Sequence, residues 1–411
     1  MSNKTATSIS EVVTSGLCIN CGLCEAVTRG RVRMVMTDYG SLRPTPADDF
    51  TGEEQARLLS ACPGVTVSPR AFGESEPDPI WGQHSSMRYA WAGHQDVRFR
   101  AATGGALTAL ALHLVKSGKV AFVLHVVADP DQPMRSRWTI SRTPYDVVSG
   151  AGSRYGPVAP LAGFMSALER SEPFAVVAKP CDLNAVHNLS KSDPRVDALC
   201  IYRLAMVCGG QSRLKKSQEL LREFGIEEQE VSVFRYRGYG NPGLTRVETR
   251  DGRAFEKTYL DLWADEAGWQ LETRCKLCPD ALGEASDVAA ADVWPGGGPT
   301  GEDAGFNGII VRSPAGEALV EAAAASGDLI LGDAITPRQF DDLQPHQVRK
   351  KKALKSRYEG LQHAGFPAPQ TDGLRIEALG QALDQAQSQA EFDGTVKRAR
   401  EGRFSEPMPE V

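Results

Sequence analysis

The chain has 411 residues, of which 41% are hydrophobic and 24% charged, and its formal net charge is −6. This composition is typical of a globular protein of two or three domains. The acidic balance excludes a global basic field for nucleic acid or an anionic membrane. No run approaches the roughly 18 apolar residues of a membrane span. The first ten residues lack the apolar core of a secretion signal, so we expect a cytoplasmic protein.

The hydrophobic pattern predicts short elements first and alternating strands and helices from about residue 87. Near the start, residues 32–44 predict a hairpin and residues 68–83 a linker rich in Pro, Gly, Ser and Glu. Helices are predicted over 104–117, 158–169, 182–189 and 315–325, and strands over 120–127, 174–178, 201–207 and 306–312. Residues 231–250 predict two strands joined by a glycine-rich loop, and residues 373–403 a peripheral helical tail.

Nine cysteines in a chain without a secretion signal favour metal ligation over disulfides. Three follow one another at two-residue spacing and a fourth precedes a proline; we term Cys18, Cys21, Cys24 and Cys62 the N-terminal cysteine group. One tight loop with three thiolates, completed by a Cys-Pro thiolate, is the bacterial ferredoxin arrangement for a 4Fe–4S cluster. Zinc also binds four thiolates, but zinc ribbons usually carry two separated pairs. We therefore expect a 4Fe–4S cluster here.

Four further residues form the second cysteine group, namely Cys181, Cys208, Cys275 and Cys278. Cys275 and Cys278 have two-residue spacing, while the other two follow apolar strands, where α/β sheets place ligands. Two interpretations stay open on spacing alone. Either the four thiols converge on a second cluster, or Cys181 and Cys208 are small buried apolar side chains. Cys200 begins a predicted strand and belongs to neither group.

Three loops in the α/β region combine glycines, hydroxyls and cations. They carry Arg100, Thr103, Gly104, Gly105, Ser153, Arg154, Tyr155 and Lys179. Glycines at a helix N-terminus let a phosphate approach free N–H groups, and arginine can pair with a phosphate through two hydrogen bonds. Three such loops favour a dinucleotide; plain turns and helix caps are the alternative interpretation.

Five strings in matching order resemble the coenzyme F-420 hydrogenase/dehydrogenase beta-subunit family. They are Ala102-Thr-Gly-Gly-Ala, Gly152-Ser-Arg-Tyr-Gly-Pro, Lys179-Pro-Cys-Asp-Leu, Arg235-Tyr-Arg-Gly-Tyr-Gly-Asn-Pro-Gly and Arg274-Cys-Lys-Leu-Cys-Pro-Asp. That family includes deazaflavin-reducing subunits of methanogens, 7-hydroxymethyl chlorophyll a reductase and a ferredoxin-dependent divinyl reductase. The resemblance implies FAD held by the three loops, with Lys179 and Asn184 as further contacts. It also implies a second 4Fe–4S cluster at the second cysteine group.

The expected fold is a mixed α/β arrangement. An N-terminal ferredoxin-like iron–sulfur segment precedes an α/β flavin-binding core with a mixed sheet, and a helical tail follows. We accordingly divide the chain into an iron–sulfur segment (1–75), an FAD-binding domain (76–230), a cluster and substrate region (231–340), and a basic segment with the tail (341–411).

Three function classes follow. The one we favour is a ferredoxin-dependent reductase, which passes electrons from ferredoxin or a partner redox subunit through 4Fe–4S clusters to FAD and a small organic substrate. The alternative is an electron-transfer beta subunit that exchanges electrons with coenzyme F-420 or another soluble carrier in a hydrogenase/dehydrogenase complex. A redox sensor without catalysis is the third class, which the flavin-type loops disfavour.

A hydride needs an accompanying proton, and His125 and Tyr155 are the predicted donors, with His187 as a further alternative. His125 is otherwise a structural histidine, and Asp292 is expected to cap a loop. The basic run 349–352 predicts either a docking site for an acidic ferredoxin or a solvated helix face. No nucleic-acid or membrane partner is expected, and an assembly of identical subunits is compatible with the sequence.

Overall fold

The computed structural model describes residues 4–47 and 49–410. The strands are β1 (Met34–Met36), β2 (Leu42–Pro44), β3 (Ser86–Ala92), β4 (Phe122–Ala128), β5 (Ser136–Ser141), β6 (Phe174–Ala178), β7 (Cys200–Met206), β8 (Val231–Arg235), β9 (Thr245–Thr249), β10 (Ala254–Lys257), β11 (Val288–Asp292), β12 (Asn307–Val311) and β13 (Leu329–Ala334).

The helices are α1 (Ile9–Thr14), α2 (Leu23–Val27), α3 (Gly52–Ala61), α4 (Gln95–Arg100), α5 (Ala106–Lys116), α6 (Pro144–Ser149), α7 (Phe164–Glu169), α8 (Pro180–Ser190), α9 (Arg195–Leu199), α10 (Leu214–Phe224), α11 (Tyr259–Trp263), α12 (Thr273–Lys276), α13 (Pro314–Ala325), α14 (Pro337–Leu343), α15 (Pro345–His363), α16 (Ile376–Gln381) and α17 (Gln385–Arg400). None of these described helices combines the length and the apolar composition needed to cross a bilayer.

Eight strands form a central mixed sheet in the order β13-β3-β12-β11-β7-β6-β4-β5. The block β11-β7-β6-β4 is parallel, whereas β12 and β5 pair antiparallel to its two sides. Parallel strands end at one edge of a sheet, so the loops that follow them meet there. The predicted mixed α/β fold is confirmed.

The parallel strands are apolar on both faces because helices cover both faces. Phe122 and Phe174 stack at 5.0 Å between ring centroids and face a cluster with residues of α7 and α8. Their sequence neighbours Val123 and Ala175 face the opposite cluster, which includes residues of α5 and α13. This alternation follows from the two-residue period of a strand.

One predicted helix needs correction, and one strand was missed. The predicted helix over 158–169 is wrong in its first half, because α7 begins only at Phe164. Pro157 and Pro160 disfavour the helical conformation of the residues before them. Strand β3 pairs with both β12 and β13 but was not predicted, because Arg88 and Tyr89 interrupt its apolar pattern.

The helices after residue 340 confirm the helical C-terminal region but not its peripheral position. Helix α15 packs against α16 and α17. Leu354 and Leu361 of α15 share a buried cluster with Val12 and Leu17 of the N-terminal segment. The peripheral position of the tail stays a prediction; Leu374, Ile376 and Ala399 of the tail belong to the same buried cluster, so one side of it covers the segment that carries the first cysteines.

A buried carboxylate fixes the chain just before β13. Asp328, whose side chain is 1% exposed, pairs with His113 and Lys116 of α5 at 2.9 Å each and with His94 at 3.2 Å. Burial acts to raise the pKa of Asp328, but the hydrogen bonds from His113 and Lys116 hold it well below the ordinary value. The carboxylate thereby connects β13 to α5.

We expect Asp328→Asn to lower the free energy of unfolding by about 2 kcal/mol, because charge-assisted hydrogen bonds are lost. A lowered folded-state pKa stabilises the protein above the unfolded pKa, and this contribution disappears as the pH falls through the folded value. Urea unfolding at pH 7 and pH 3 measures both effects. The exposed Asp342→Asn is the control, and equal stability of the two variants at pH 7 would contradict the assignment.

Candidate functional site

The four thiols of the N-terminal cysteine group come together beside α2 and α3. Burial, reinforced by the charge of Cys24, raises the pKa of Cys21, and burial with Cys18 raises the pKa of Cys62 to about 12. Gly22 precedes α2 with φ 77°, and a Cβ there would lie 2.7 Å from the side chain of Ala159. Only glycine allows this turn, which brings the cysteine loop against the α/β core.

A buried ionic network lies beside this group. Arg43, with 0% side-chain exposure, pairs with Glu272 at 2.7 Å and with Glu406 at 2.6 Å. Its guanidinium also donates to the side chain of Asn20, between Cys18 and Cys21. The network therefore joins the hairpin β1–β2, the start of α12 and the C-terminal tail around the first cysteines.

The four thiols of the second cysteine group line one small cavity. Cys181 lies in the first turn of α8 and Cys208 follows β7, so both stand at the carboxyl edge of the sheet. The backbone N–H of Gln211 donates to Cys275 Sγ at 3.3 Å. The convergence that the spacing left open is present, and Cys181 and Cys208 are not scattered in the core.

Within residues 4–47 and 49–410, no three His, Cys, Asp or Glu side chains surround one ion position. In a 4Fe–4S cluster each thiolate binds its own iron, so the sulfurs stand at corners rather than around one centre.

A cavity of about 380 Å³ opens at the carboxyl edge of β4, β6, β7 and β11. This volume is in the range of small-molecule sites. Seven of the residues predicted for the flavin or the proton line it, namely Thr103, Gly105, His125, Ser153, Arg154, Tyr155 and Lys179. Lys179 and Cys208 line both this cavity and the small cysteine cavity, so the two are contiguous.

Three predicted contacts do not line the cavity. Arg100 ends α4 with its side chain 43% exposed and pairs with Asp96 at 3.0 Å. Asn184 is buried and donates to Asp280 at 2.9 Å. A Cβ on Gly104 would meet the backbone of Asn307 at 2.8 Å. Each of the three faces protein or solvent here, and their role as ligand contacts stays a prediction.

Two further features differ from the prediction that an arginine and a helix N-terminus bind a phosphate. Arg154 lines the cavity, but its guanidinium donates to Ser136 and to four carbonyls, including that of Phe234 at 2.7 Å. The N–H of Ala106, at the start of α5, donates to the side chain of Asn307 at 3.0 Å. Arg154 therefore ties loops together here, and the first amide of α5 is already used.

Arg237 was not predicted, although it organises the cavity wall. It is 2% exposed and donates to Asp292 at 2.8 Å, to the carbonyl of Ala102 at 2.6 Å and to Tyr155 at 3.3 Å. Asp292 also accepts a hydrogen bond from Thr103. One guanidinium thus connects two predicted flavin loops to the end of β11, and Asp292 does more than cap a loop. The Arg-Tyr-Arg-Gly string was the available signal.

Four aromatic rings also line the cavity, those of Tyr259, Trp263, Trp269 and Trp294. The indole N–H groups of Trp263 and Trp294 are buried without a hydrogen-bond partner. Buried donors are rarely left unpaired, so these two groups mark positions where a ligand acceptor fits. Flat rings with unpaired donors suit a planar ligand that carries acceptor atoms.

His125 lies in β4 with its Nε2 2.7 Å from the hydroxyl of Ser141. Burial lowers its pKa to about 4. At neutral pH the ring is therefore uncharged, which opposes proton donation from an imidazolium. Tyr155, the other predicted donor, contacts Arg237 and packs against Trp263 at 4.8 Å. The alternative His187 does not line the cavity.

The basic run 349–352 is divided between surface and interior. Lys350 and Lys351 are 5% and 3% exposed; the first donates to the carbonyl of Gly209 and the second pairs with Glu284. Both predictions, a docking site and a solvated face, are wrong for these two lysines. Lys350 instead lines the small cysteine cavity.

Comparison with known protein families shows which family the chain belongs to. Residues 87–165 match the N-terminal part, and residues 171–336 the C-terminal part, of the coenzyme F420 hydrogenase/dehydrogenase beta subunit. The chain belongs to this family. The beta-subunit match begins at β3 and ends just after β13, so it covers the whole central sheet.

Two curated relatives of this beta subunit come from methanogens. One is the coenzyme F420-dependent sulfite reductase of Methanocaldococcus jannaschii, 22% identical over 87% of this chain and 53% of its own length. The other is the F420-dependent formate dehydrogenase 1 subunit beta of Methanococcus maripaludis, 26% identical over 59% of this chain and 60% of its length. The chain therefore spans little more than half the length of each. The named relatives are oxidoreductases.

A solved relative shares the fold. A chain of the F420-reducing NiFe hydrogenase complex from Methanosarcina barkeri superposes with a TM-score of 0.56 at 17% identity. The match covers 72% of this chain and 99% of that chain.

We expect Arg237→Met to lower the free energy of unfolding by about 1–3 kcal/mol, because the carbonyls of Ala102 and Pro242 and the half-buried carboxylate of Asp292 would lose their donor. Arg237→Lys should lose less stability, because the positive charge stays and only the planar set of guanidinium N–H donors is lost. Urea unfolding measures both variants. The exposed Arg338→Met on α14 is the control, and a similar loss in that variant would contradict the role of Arg237.

Because the folded pKa of His125 is about 4 against a reference value of 6.5, the unfolded chain takes up a proton first as the pH falls. Stability due to this residue is thus complete above pH 6.5 and declines toward pH 4, by about 3 kcal/mol in total. His125→Gln should remove this part of the acid sensitivity. Urea titrations at pH 7 and pH 4.5 test it, with the exposed His363→Gln as the control. An unchanged pH dependence in His125→Gln would refute the assignment.

Proposed function

We propose that this beta subunit is an electron-transfer flavoprotein. The N-terminal and second cysteine groups would each hold a 4Fe–4S cluster, the large cavity would hold FAD, and coenzyme F420 or another soluble carrier would exchange electrons with it. A partner redox subunit would supply or take the electrons on the cluster side. The observation that carries the proposal is the contiguity of the two cavities through Lys179 and Cys208.

The chemistry of the donor sets supports the clusters. All eight thiols are half-buried, and burial raises the pKa of each one. Thiolates rather than thiols bind iron, and the positive charge of the iron stabilises them where burial alone does not. The N–H of Gln211 at Cys275 is the kind of hydrogen bond that tunes a cluster sulfur.

The cavity wall supports a flavin rather than a bare nucleotide. The aromatic rings and the unpaired indole donors of Trp263 and Trp294 match a planar ring system with acceptor atoms. Bound flavin exchanges both single electrons and electron pairs, which is the chemistry needed between a cluster and a hydride carrier. In the proposed complex Arg237 holds Thr103, Tyr155 and Asp292 in place. His125 is uncharged and shares a hydrogen bond with the hydroxyl of Ser141.

The relatives support one of the two functions that the sequence left open. Both curated relatives and the solved complex are named for F420, and no relative among them is named for ferredoxin. Burial of Lys350 and Lys351 also leaves only Arg349 and Lys352 of the run 349–352 exposed for docking a ferredoxin. We therefore place the F420-type electron-transfer subunit first and the ferredoxin-dependent reductase of an organic substrate second.

Buried contacts join two of the four predicted parts of the chain. The iron–sulfur segment (1–75) and the tail (341–411) share one buried cluster. We propose that these two parts form a single unit around the N-terminal cysteine group and that 76–340 forms the flavin-binding and substrate unit.

Anaerobic purification followed by iron, sulfide and flavin analysis tests the proposal. The wild-type chain should contain about eight iron atoms and one flavin. Cys62→Ser and Cys278→Ser should each lose about half of the iron, whereas Cys200→Ser should keep all of it because Cys200 belongs to neither group. Reduced protein should then reduce F420, which absorbance follows.

Several outcomes would count against the proposal. Absence of flavin after reconstitution would exclude the flavin site, and full iron content in both cysteine variants would exclude the ligand assignment. Oxidation by an organic acceptor with ferredoxin as donor, without reaction of F420, would favour the second function.

A further inference from the structure

Arg274 lies between the two cysteine groups. It belongs to α12 and is 3% exposed. One end of its guanidinium donates to the carbonyl of Pro63, at 3.3 Å, and the other end donates to the carbonyl of Leu277. Pro63 directly follows Cys62, and Leu277 directly precedes Cys278. One side chain therefore touches the backbone next to a cysteine of each group.

The charge of Arg274 has no carboxylate partner. None of the ion pairs formed by the described residues includes it, and its Nε has no hydrogen-bond partner. Arg43, equally buried and close by, pairs instead with Glu272 and Glu406. An unpaired buried charge is costly unless an anion lies close. Arginine keeps its charge at every accessible pH, so the compensation must come from its surroundings.

The cysteines beside these two carbonyls become anions when they bind a metal, because thiolates are the metal ligands. The guanidinium of Arg274 holds the carbonyls of Pro63 and Leu277, which are the residues next to Cys62 and Cys278. The residue also lines the small cavity together with the second cysteine group. Geometry and charge thus point to the same two sulfurs, one in each group.

We propose that Arg274 is a positioning residue whose single charge is shared by both clusters and raises the reduction potentials of both. The proposal rests on the proposed function, in which each cysteine group holds a 4Fe–4S cluster. Reduction adds one electron to an anionic cluster, and a fixed cation nearby in a buried site favours that reduced form. A shared cation shifts both potentials in the same direction, which keeps the electron transfer between the clusters close to balance.

Lys350 provides a contrast within the same structure. Its ammonium donates to the carbonyl of Gly209 at 3.0 Å, and the residue lines the cavity of the second cysteine group. Among the described residues, no hydrogen bond or ion pair joins Lys350 to the N-terminal cysteine group. Removing this charge should therefore shift only one potential.

The test is a potentiometric titration of the full chain with dithionite as the electron donor, followed by electron paramagnetic resonance, after iron and sulfide have been counted. In Arg274→Gln the reduction equilibrium of both clusters should become at least about tenfold less favourable, or about 59 mV for one electron. Arg274→Lys should keep most of the wild-type potentials. Lys350→Met should lower one potential only.

Arg312→Met is the matched control for buried charge. Arg312 is also 3% exposed and donates only to carbonyls, those of Trp81, Gln83 and Leu282. Its loss should leave both potentials unchanged. Equal shifts in Arg312→Met and Arg274→Gln would show a general effect of disturbed packing and would overturn the proposal.

The remaining outcomes are also decisive. Two intact clusters with one or no shifted potential in Arg274→Gln would overturn the shared role. Loss of iron in Arg274→Gln with retention in Arg274→Lys would support the shared role, because the two variants differ in charge. Loss of iron in both variants would mean that the forked shape of the guanidinium is required rather than its charge, and would overturn the proposal. A wild-type chain that binds no iron would refute the proposed function instead.

Discussion

The parallel register of β4, β6, β7 and β11 is the constraint on which the rest of the site depends. Because these strands end at one edge, Lys179, Cys208 and Asp292 meet although they are far apart in the chain. The antiparallel neighbours β5 and β12 bring their amino ends to that edge, and Asn307, the first residue of β12, also lines the cavity. A register shift by one residue would move every side chain of a strand to the opposite face of the sheet, away from the helix residues that it packs against now.

Buried charge is the second theme of the structure. Arg237 and Arg43 are each enclosed by carboxylates and carbonyls, and each joins segments that are distant in sequence. In a low-dielectric interior such networks hold their geometry strongly when every member is paired. The cofactor positions that we propose are therefore framed by charged groups that have little freedom to move.

The family match and the packing divide the chain differently. The match runs over 87–165 and 171–336, which leaves out both the N-terminal cysteine group and the C-terminal helices. These two outlying parts pack on each other, with Leu17 and Phe404 in the same buried cluster. A tail that reads as polar in sequence thus covers apolar residues next to the first cysteines, and the beta-subunit core connects to them through Arg43 and Glu272.

By itself the sequence determined the elements with a clear period, such as α5 and β6, and it separated Cys200 from the eight cysteines that converge in two groups. Spacing and periodicity are local properties, and they can be read without knowing the fold. Only the tertiary structure decided that Arg154 and Lys351 face inward and that Arg237 organises the cavity. The partner of a charged side chain depends on contacts between distant segments, which no local pattern encodes.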